Sequence, residues 1–261
     1  GRAEVAFSSR ASTNWVNRLP EQQSKYKRGY YNAAGVLDDY TTQSWGENFD
    51  DNDVIYDNIG NFFKTGFYHK YDFSVTGGSE KFQAYASANW SNAEGIIPED
   101  YKTRFGALIK ASYTPAKWVT FQMGVNITDT KSRSTSGVSS AYGWPITDDI
   151  MDYQREDGYP RFRYLPDVEK YNAPYSPLYG IYNDGGIAKA TRNVINGSIT
   201  LKPVKNLQIV GRVSYDIKNT TSESYTVPRW DDKYVRPTIT KPNTSTDPTP
   251  PSEHECSERG D

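Results

Sequence analysis

The chain has 261 residues and a formal charge of −2, with a calculated pI of 5.8, so it lacks the bulk positive charge of a nucleic-acid binder. Mean hydropathy is −0.79, and no stretch approaches the ~18 consecutive apolar residues of a membrane-spanning helix. Its single Cys256 forms no internal disulfide, and one Cys with two His is too few ligands for a structural metal site.

In chain order, alternation with a period of two marks seven strands, each with one oily and one wet face. In "AEVAFSSRASTNW" Val5, Phe7, Ala11 and Trp15 oppose Glu4, Ser8, Arg10 and Asn14. "YDFSVT" sets Tyr71, Phe73 and Val75 against Asp72, Ser74 and Thr76. "KFQAYASANW" sets Phe82, Ala86 and Trp90 against Gln83, Ser87 and Asn89. "RFGALIKASY" sets Phe105, Ala107 and Ile109 against Arg104, Lys110 and Ser112. "KWVTFQMGVNIT" is the clearest, with Val119, Phe121, Met123, Val125 and Ile127 on one side. "NVINGSITL" and "LQIVGRVSYDI" complete the set, with Arg212 and Asp216 on the wet face of the last.

Most of these segments run about 9–13 residues, the ~9–11 of a tilted membrane-spanning strand rather than the ~5–6 of a soluble one. Their connections alternate in length. "GGSE" at 77–80, "TPAK" at 114–117 and "KPVKN" at 202–206 are tight turns, whereas roughly 18–68, 92–102 and 132–190 are longer. An up-and-down sheet with this pattern gathers its tight turns at one end and its long loops at the other. Outer-membrane barrels do so, with short periplasmic turns and long extracellular loops. Trp15, Tyr71, Trp90, Tyr113, Trp118 and Tyr215 mark strand ends, where lipid interfaces favour aromatics. The expected fold is therefore all-β: a segment of an antiparallel up-and-down transmembrane β-barrel with long extracellular loops, its oily face outward.

The third long loop, "AYGWPITDDIMDYQREDGYPRFRYLPDVEKYNAPYSPLYGIYND", is dense in Tyr and Arg. Flat aromatic faces stack on sugars or peptide side chains while Arg and Asp fix polar groups around them. Tyr142, Trp144, Tyr159, Arg161, Arg163 and Tyr164 are its candidate substrate-binding residues, with Trp45 in the first loop. The competing reading is that a long loop packs its own aromatics to stay compact. Arg10, Arg104, Lys110 and Arg212 point to the lumen, where they line the pore or hold a plug by ion pairs. No catalytic constellation, metal cluster or phosphate-binding glycine loop is present, so no enzyme and no cofactor are expected. Paired acids such as Asp148 and Asp149 fall in loops, where such residues usually meet water.

The stretch "NIGNFFKTGFYHKYDFSVTGGSEKFQAYASANWSNAEGIIPEDYKTRFGALIKASYTPAKWVTFQMGVNIT" resembles the first barrel hairpins of SusC/RagA-type TonB-dependent outer-membrane transporters. Its elements are "FF-x-TG", "SVTGGSEK", "N-x-EGII", an Arg-bearing strand and a strand opening on Trp. "VNRLPEQQSKYKRG" and "SWGENFD" resemble the segment after the family's plug, and "NAPYSPLYGIYND" with "RNVINGSITLKPVKNLQIVGRVSYD" its next loop and hairpin. The likeness spans roughly 1–230. It implies an outer-membrane barrel of a Gram-negative bacterium that imports oligosaccharides, glycans or peptides. It also implies energy from a TonB complex acting through a plug, and a SusD-like surface lipoprotein as lid.

The sequence departs from that family in carrying no plug and no TonB box. Residues 1–230 accordingly read as the N-terminal part of a transporter barrel, and the Pro/Thr/Ser-rich 231–261 as a disordered or truncated tail. Two rivals remain at this stage. One is a soluble or surface-attached β-sandwich that binds glycans; the other is a non-transporting outer-membrane barrel acting as receptor or anchor.

Overall fold

A computed structural model describes residues 3–39, 41–161 and 175–229. Seven long strands form one antiparallel sheet: β1 (Glu4–Asn14), β4 (Gly66–Gly78), β5 (Phe82–Glu94), β6 (Tyr101–Ala116), β7 (Val119–Arg133), β8 (Gly185–Val204) and β9 (Leu207–Tyr225). Each lies beside its sequence neighbour in the order β1-β4-β5-β6-β7-β8-β9, an up-and-down topology that leaves β1 and β9 as open edges. The two-residue strands β2 (Tyr30–Tyr31) and β3 (Leu37–Asp38) pair as a small flap within the first loop. Among the described residues three short helices complete the set: α1 (Asn58–Phe62), α2 (Val138–Tyr142) and α3 (Pro177–Asn183). The architecture is all-β, an open sheet of the kind that makes up part of a barrel wall. The expected tail, 231–261, lies outside the described residues.

Register carries the alternation from strand to strand. Val5 faces Val75, which faces Ala86, then Ile109, Val125, Ile195 and Tyr215. One step along, Phe7, Phe73, Ala88, Ala107, Ile127, Asn193 and Ile217 form the next row on the same side. Directly opposed residues point to one face, so the oily side is continuous across all seven strands. Most of it lies open: Met123 is 58% exposed and Val213 71%, whereas Val119 at the turn end is buried.

The oily band has a measurable height. Along β9 it runs from Leu207 to Ile217, ten steps of ~3.4 Å, which at ~40° of tilt rise about 26 Å, against the ~25 Å apolar band of outer-membrane barrels. Above the band the strands continue with polar residues on the same side. Thr191 faces Asn219, Lys189 faces Thr221, and the Lys189 ammonium pairs with Glu223 at 3.5 Å. The strands are therefore longer than the alternation alone indicates, β8 reaching 20 residues. The connection read as 92–102 shrinks to residues 95–100, because β5 and β6 extend into it.

Aromatic residues concentrate at the band's borders. At the loop end Tyr71 and Trp90 stack with centroids 6.1 Å apart, Phe7 stacks on Tyr71 at 6.4 Å, and the His69 ring lies 4.9 Å from Trp90. At the turn end Phe82, Tyr113 and Phe121 form one row, with Trp118 exposed in the turn below.

The two faces should respond differently to charge. In the intact protein that carries this chain, refolded into lipid vesicles, Met123→Arg is expected to cost ~2–4 kcal/mol and Gln122→Arg, one residue away on the other face, under ~1 kcal/mol. Guanidinium unfolding titrations measure both; equal costs would contradict a lipid-facing Met123 side.

Candidate functional site

The wet face of the sheet supplies one half of the site. Arg10 faces Lys70, Lys70 faces Ser91, and Ser91 faces Arg104, so three cations share a row across four strands. Lys110 lies in the Thr76–Tyr85 row and Arg212 opposite Ser198. All four residues expected on the lumen side are exposed on that face. Lys70 pairs with Asp72 at 2.8 Å, and Arg192 hydrogen-bonds to Asp216. Among the described residues no carboxylate pairs with Arg10, Arg104, Lys110 or Arg212. Cations on this face outnumber acids, so it is electropositive.

The other half is a cap that the two longest loops build at one end of the sheet. Its small core joins Ile59 and Phe62 of α1, Ala141 of α2, Trp144, Ile150, and Leu178 and Ile181 of α3. Local sequence starts two of these helices: Asp57 accepts from the Gly60 amide at 2.9 Å, and Ser176 accepts from the Leu178 amide at 3.3 Å just before Pro177. Neither helix is long enough to stand without this packing.

One side chain welds the loops together. The fully buried Asn58 amide donates to the Pro145 and Asp148 carbonyls and accepts from the Ile150 amide, each at 2.9 Å. Both donors and the acceptor are thereby used. Around this joint the Ser176 hydroxyl donates to the Ile150 carbonyl at 2.6 Å, and the Trp144 indole donates to the Asp148 carbonyl at 3.0 Å. Arg133, at the top of β7, donates to the Ile181 and Asp184 carbonyls and pairs with Glu99 at 3.1 Å, which fixes the cap to the sheet.

Arg229, just beyond β9, completes the anchoring. It hydrogen-bonds to Asp184 and to the Tyr175 hydroxyl, with its guanidinium 4.9 Å from the Tyr179 ring centroid. Burial opposes its charge, but the bonds to Asp184 and Tyr175 hold its pKa above the ordinary arginine value. Burial pushes the Tyr179 and Tyr182 phenols up as well, so both are neutral at physiological pH.

The substrate-binding candidates fall in different places. Trp144 is 4% exposed and belongs to the cap core, and Tyr142 packs against the same cluster. Tyr159 is half-buried in a small turn closed by the Gln154–Pro160 bridge. Arg161 points its Nε to Asp152 at 2.7 Å. Trp45 is 63% exposed beside the flap, 6.1 Å from the Tyr26 ring. Arg163 and Tyr164 lie outside the described residues.

Sequence reasoning overlooked the Tyr153–Tyr182 pair, stacked at 5.2 Å with Tyr182 40% exposed, which gives the cap an accessible aromatic face. Both tyrosines stand within the loop already singled out. Nothing local says that residues 29 positions apart will stack.

No family model matches the chain, and no curated protein matches it. Solved structures do. A RagAB peptide importer in a "closed-closed" state superposes with a TM-score of 0.62 at 15% identity, over 87% of this chain and 29% of that one. The importer in an "open-open" state gives 0.64 over the same shares. A third structure, of the RagAB peptide transporter, gives 0.52 at 18% identity over 65% of this chain and 20% of that one. The chain thus shares the fold of a β-barrel transporter and spans less than a third of the length of the structures it matches.

The Asn58 joint makes the cap testable. Asn58→Ala leaves the buried Ile150 amide without its partner, while the Pro145 carbonyl keeps the Asp148 amide and the Asp148 carbonyl keeps the Trp144 indole. The expected loss of local stability is ~2 kcal/mol or more, read as roughly thirtyfold faster hydrogen exchange at Ile150 with β6 amides unchanged.

Proposed function

We propose that the chain forms part of the wall and outer rim of a SusC/RagA-type TonB-dependent importer in a Gram-negative outer membrane. One observation carries this reading: the oily face runs unbroken across seven strands, and the cap is confined to one end of the sheet. A sandwich would need a second sheet over that face. A barrel needs only hydrocarbon there, with loops on the outside.

In this reading the role is binding and gated passage, without covalent chemistry. Cargo meets the aromatic surface of the cap, Tyr153 and Tyr182 foremost, with Trp45 and Tyr159 as further contacts. It then descends along a wall lined by Arg10, Arg104, Lys110 and Arg212. Those same cations are suited to hold a plug through its carboxylates, and the plug would be the element on which TonB pulls. A SusD-like lipoprotein would close over the cap. The likeness to peptide importers supports oligopeptides as cargo ahead of oligosaccharides.

Nitroxide labels test the wall. In the intact protein in bilayers, labels at 121, 123 and 125 should be relaxed by oxygen, and labels at 122, 126 and 128 by a water-soluble nickel chelate. Tight immobilisation at 121–125 with no oxygen access would instead establish the sandwich. For transport, cells bearing the intact protein should accumulate a labelled oligopeptide and stop when a proton uncoupler is added. Uptake indifferent to the uncoupler would remove the TonB-driven reading.

A further inference from the structure

Resting on the membrane-wall reading, we propose that the turn end of the outward face binds an anionic phospholipid of the periplasmic leaflet. A groove of about 610 Å³ lies there, walled by Phe82, Phe121, Met123 and Val213. Its volume is within the ~300–1,000 Å³ of small-molecule sites. The floor is low because the residues on it are small: Ala111 of β6, Gly197 of β8 and Gly211 of β9. A Cβ built on Gly197 would meet Val213 Cγ1 at 3.5 Å, an ordinary van der Waals contact, and one on Gly211 would crowd Ile199 Cγ2 at 3.2 Å, so the two glycines keep the floor below its apolar walls. Such a trough on a lipid-facing wall fits a hydrocarbon chain.

The chemistry at its foot names the head group. Lys81, Lys117, Lys202 and Lys205 are all exposed in or beside the three tight turns, where Glu80 is the lone acid. Among the described residues none of the four lysines makes an ion pair. Two backbone hydrogen bonds keep the turns in line: the Thr114 amide donates to the Lys81 carbonyl and the Lys202 amide to the Trp118 carbonyl, each at 2.7 Å. Lysine stems lie along apolar surface while their ammonium groups reach the phosphate level. An acyl chain in the groove therefore puts its own phosphate among these cations, and one molecule satisfies both surfaces. A second copy of the chain is a poorer occupant, since it would bring four more lysines against these four.

The test uses the intact protein in non-ionic detergent with equal amounts of phosphatidylglycerol and phosphatidylcholine added. Bound lipid is counted by native mass spectrometry. Wild type should retain phosphatidylglycerol at least about tenfold over phosphatidylcholine. Replacing Lys117, Lys202 and Lys205 with Gln should erase that preference. Gly197→Leu, which fills the groove, should lower retention of both lipids.

Equal retention of the two lipids by wild type overturns the proposal. So does undiminished retention by the Gly197→Leu protein, or a lipid-free dimer formed through this face. Tryptophan quenching keeps the test independent of variant folding: with unmodified protein, brominated-chain phosphatidylglycerol should quench more steeply than its phosphatidylcholine counterpart, and equal quenching refutes the site. A protein that stays in water without binding detergent would instead overturn the membrane-wall reading itself, a result distinct from a detergent-bound protein that retains no phospholipid.

Discussion

The structure depends on the register of its interstrand hydrogen bonds. A shift of one residue in any strand would turn that strand's oily residues to the wet face. The pairing Val5–Val75–Ala86–Ile109–Val125–Ile195–Tyr215 shows every strand held in the same phase. The tight turns set this phase locally, since a two-residue link such as Lys117–Trp118 leaves little freedom in how β6 and β7 meet. The phase across β7 and β8, separated by the long third loop, has no such local guide. There the matched oily faces themselves select the register, helped by the cap that holds both strand tops through Arg133.

How much of this was legible in the sequence follows from where the strands carry the oily band. Within the band, each strand has an oily and a wet side, and alternation is plain: Val119 to Ile127 announces β7 without help. Above the band both sides face water. Thr191, Lys189, Asn219 and Thr221 show no alternation, yet the hydrogen-bond ladder runs on through them. At the loop end β4 to β9 therefore extend beyond their alternating segments, whereas β1 stops at Asn14, one residue short of its own, and the turn ends lie close to the alternation. The topology was legible because every connection in the long sheet joins neighbours, which hydropathy and turn chemistry can express.

The cap was much less legible, for a different reason. Its helices are 5–7 residues long, too short for a 3.6-residue period to emerge. Its organising contact, Asn58 with Pro145, Asp148 and Ile150, joins segments about ninety positions apart. An asparagine before "IGNFF" carries no mark of that role. Trp144 illustrates the ambiguity of aromatic content: in sequence it looks equally fit to stack on cargo or to fill a core, and here it fills the core. The wet-face cations were easier, because alternation with their strand's oily residues fixes the face of the sheet on which Arg10, Arg104, Lys110 and Arg212 stand.

The open edges of β1 and β9 extend the register constraint to the whole assembly. Each edge presents a row of backbone donors and acceptors along the height of the oily band. In water such an edge invites aggregation, and in hydrocarbon every unmet group costs several kcal/mol. A bilayer therefore admits this sheet only when further strands continue it on both sides until it closes. Such a sheet keeps its cations on the one polar side, opposite the oily face. The same argument explains why the cap lies where it does: polar loops can fold only beyond the band, and the long connections all leave the sheet at one end.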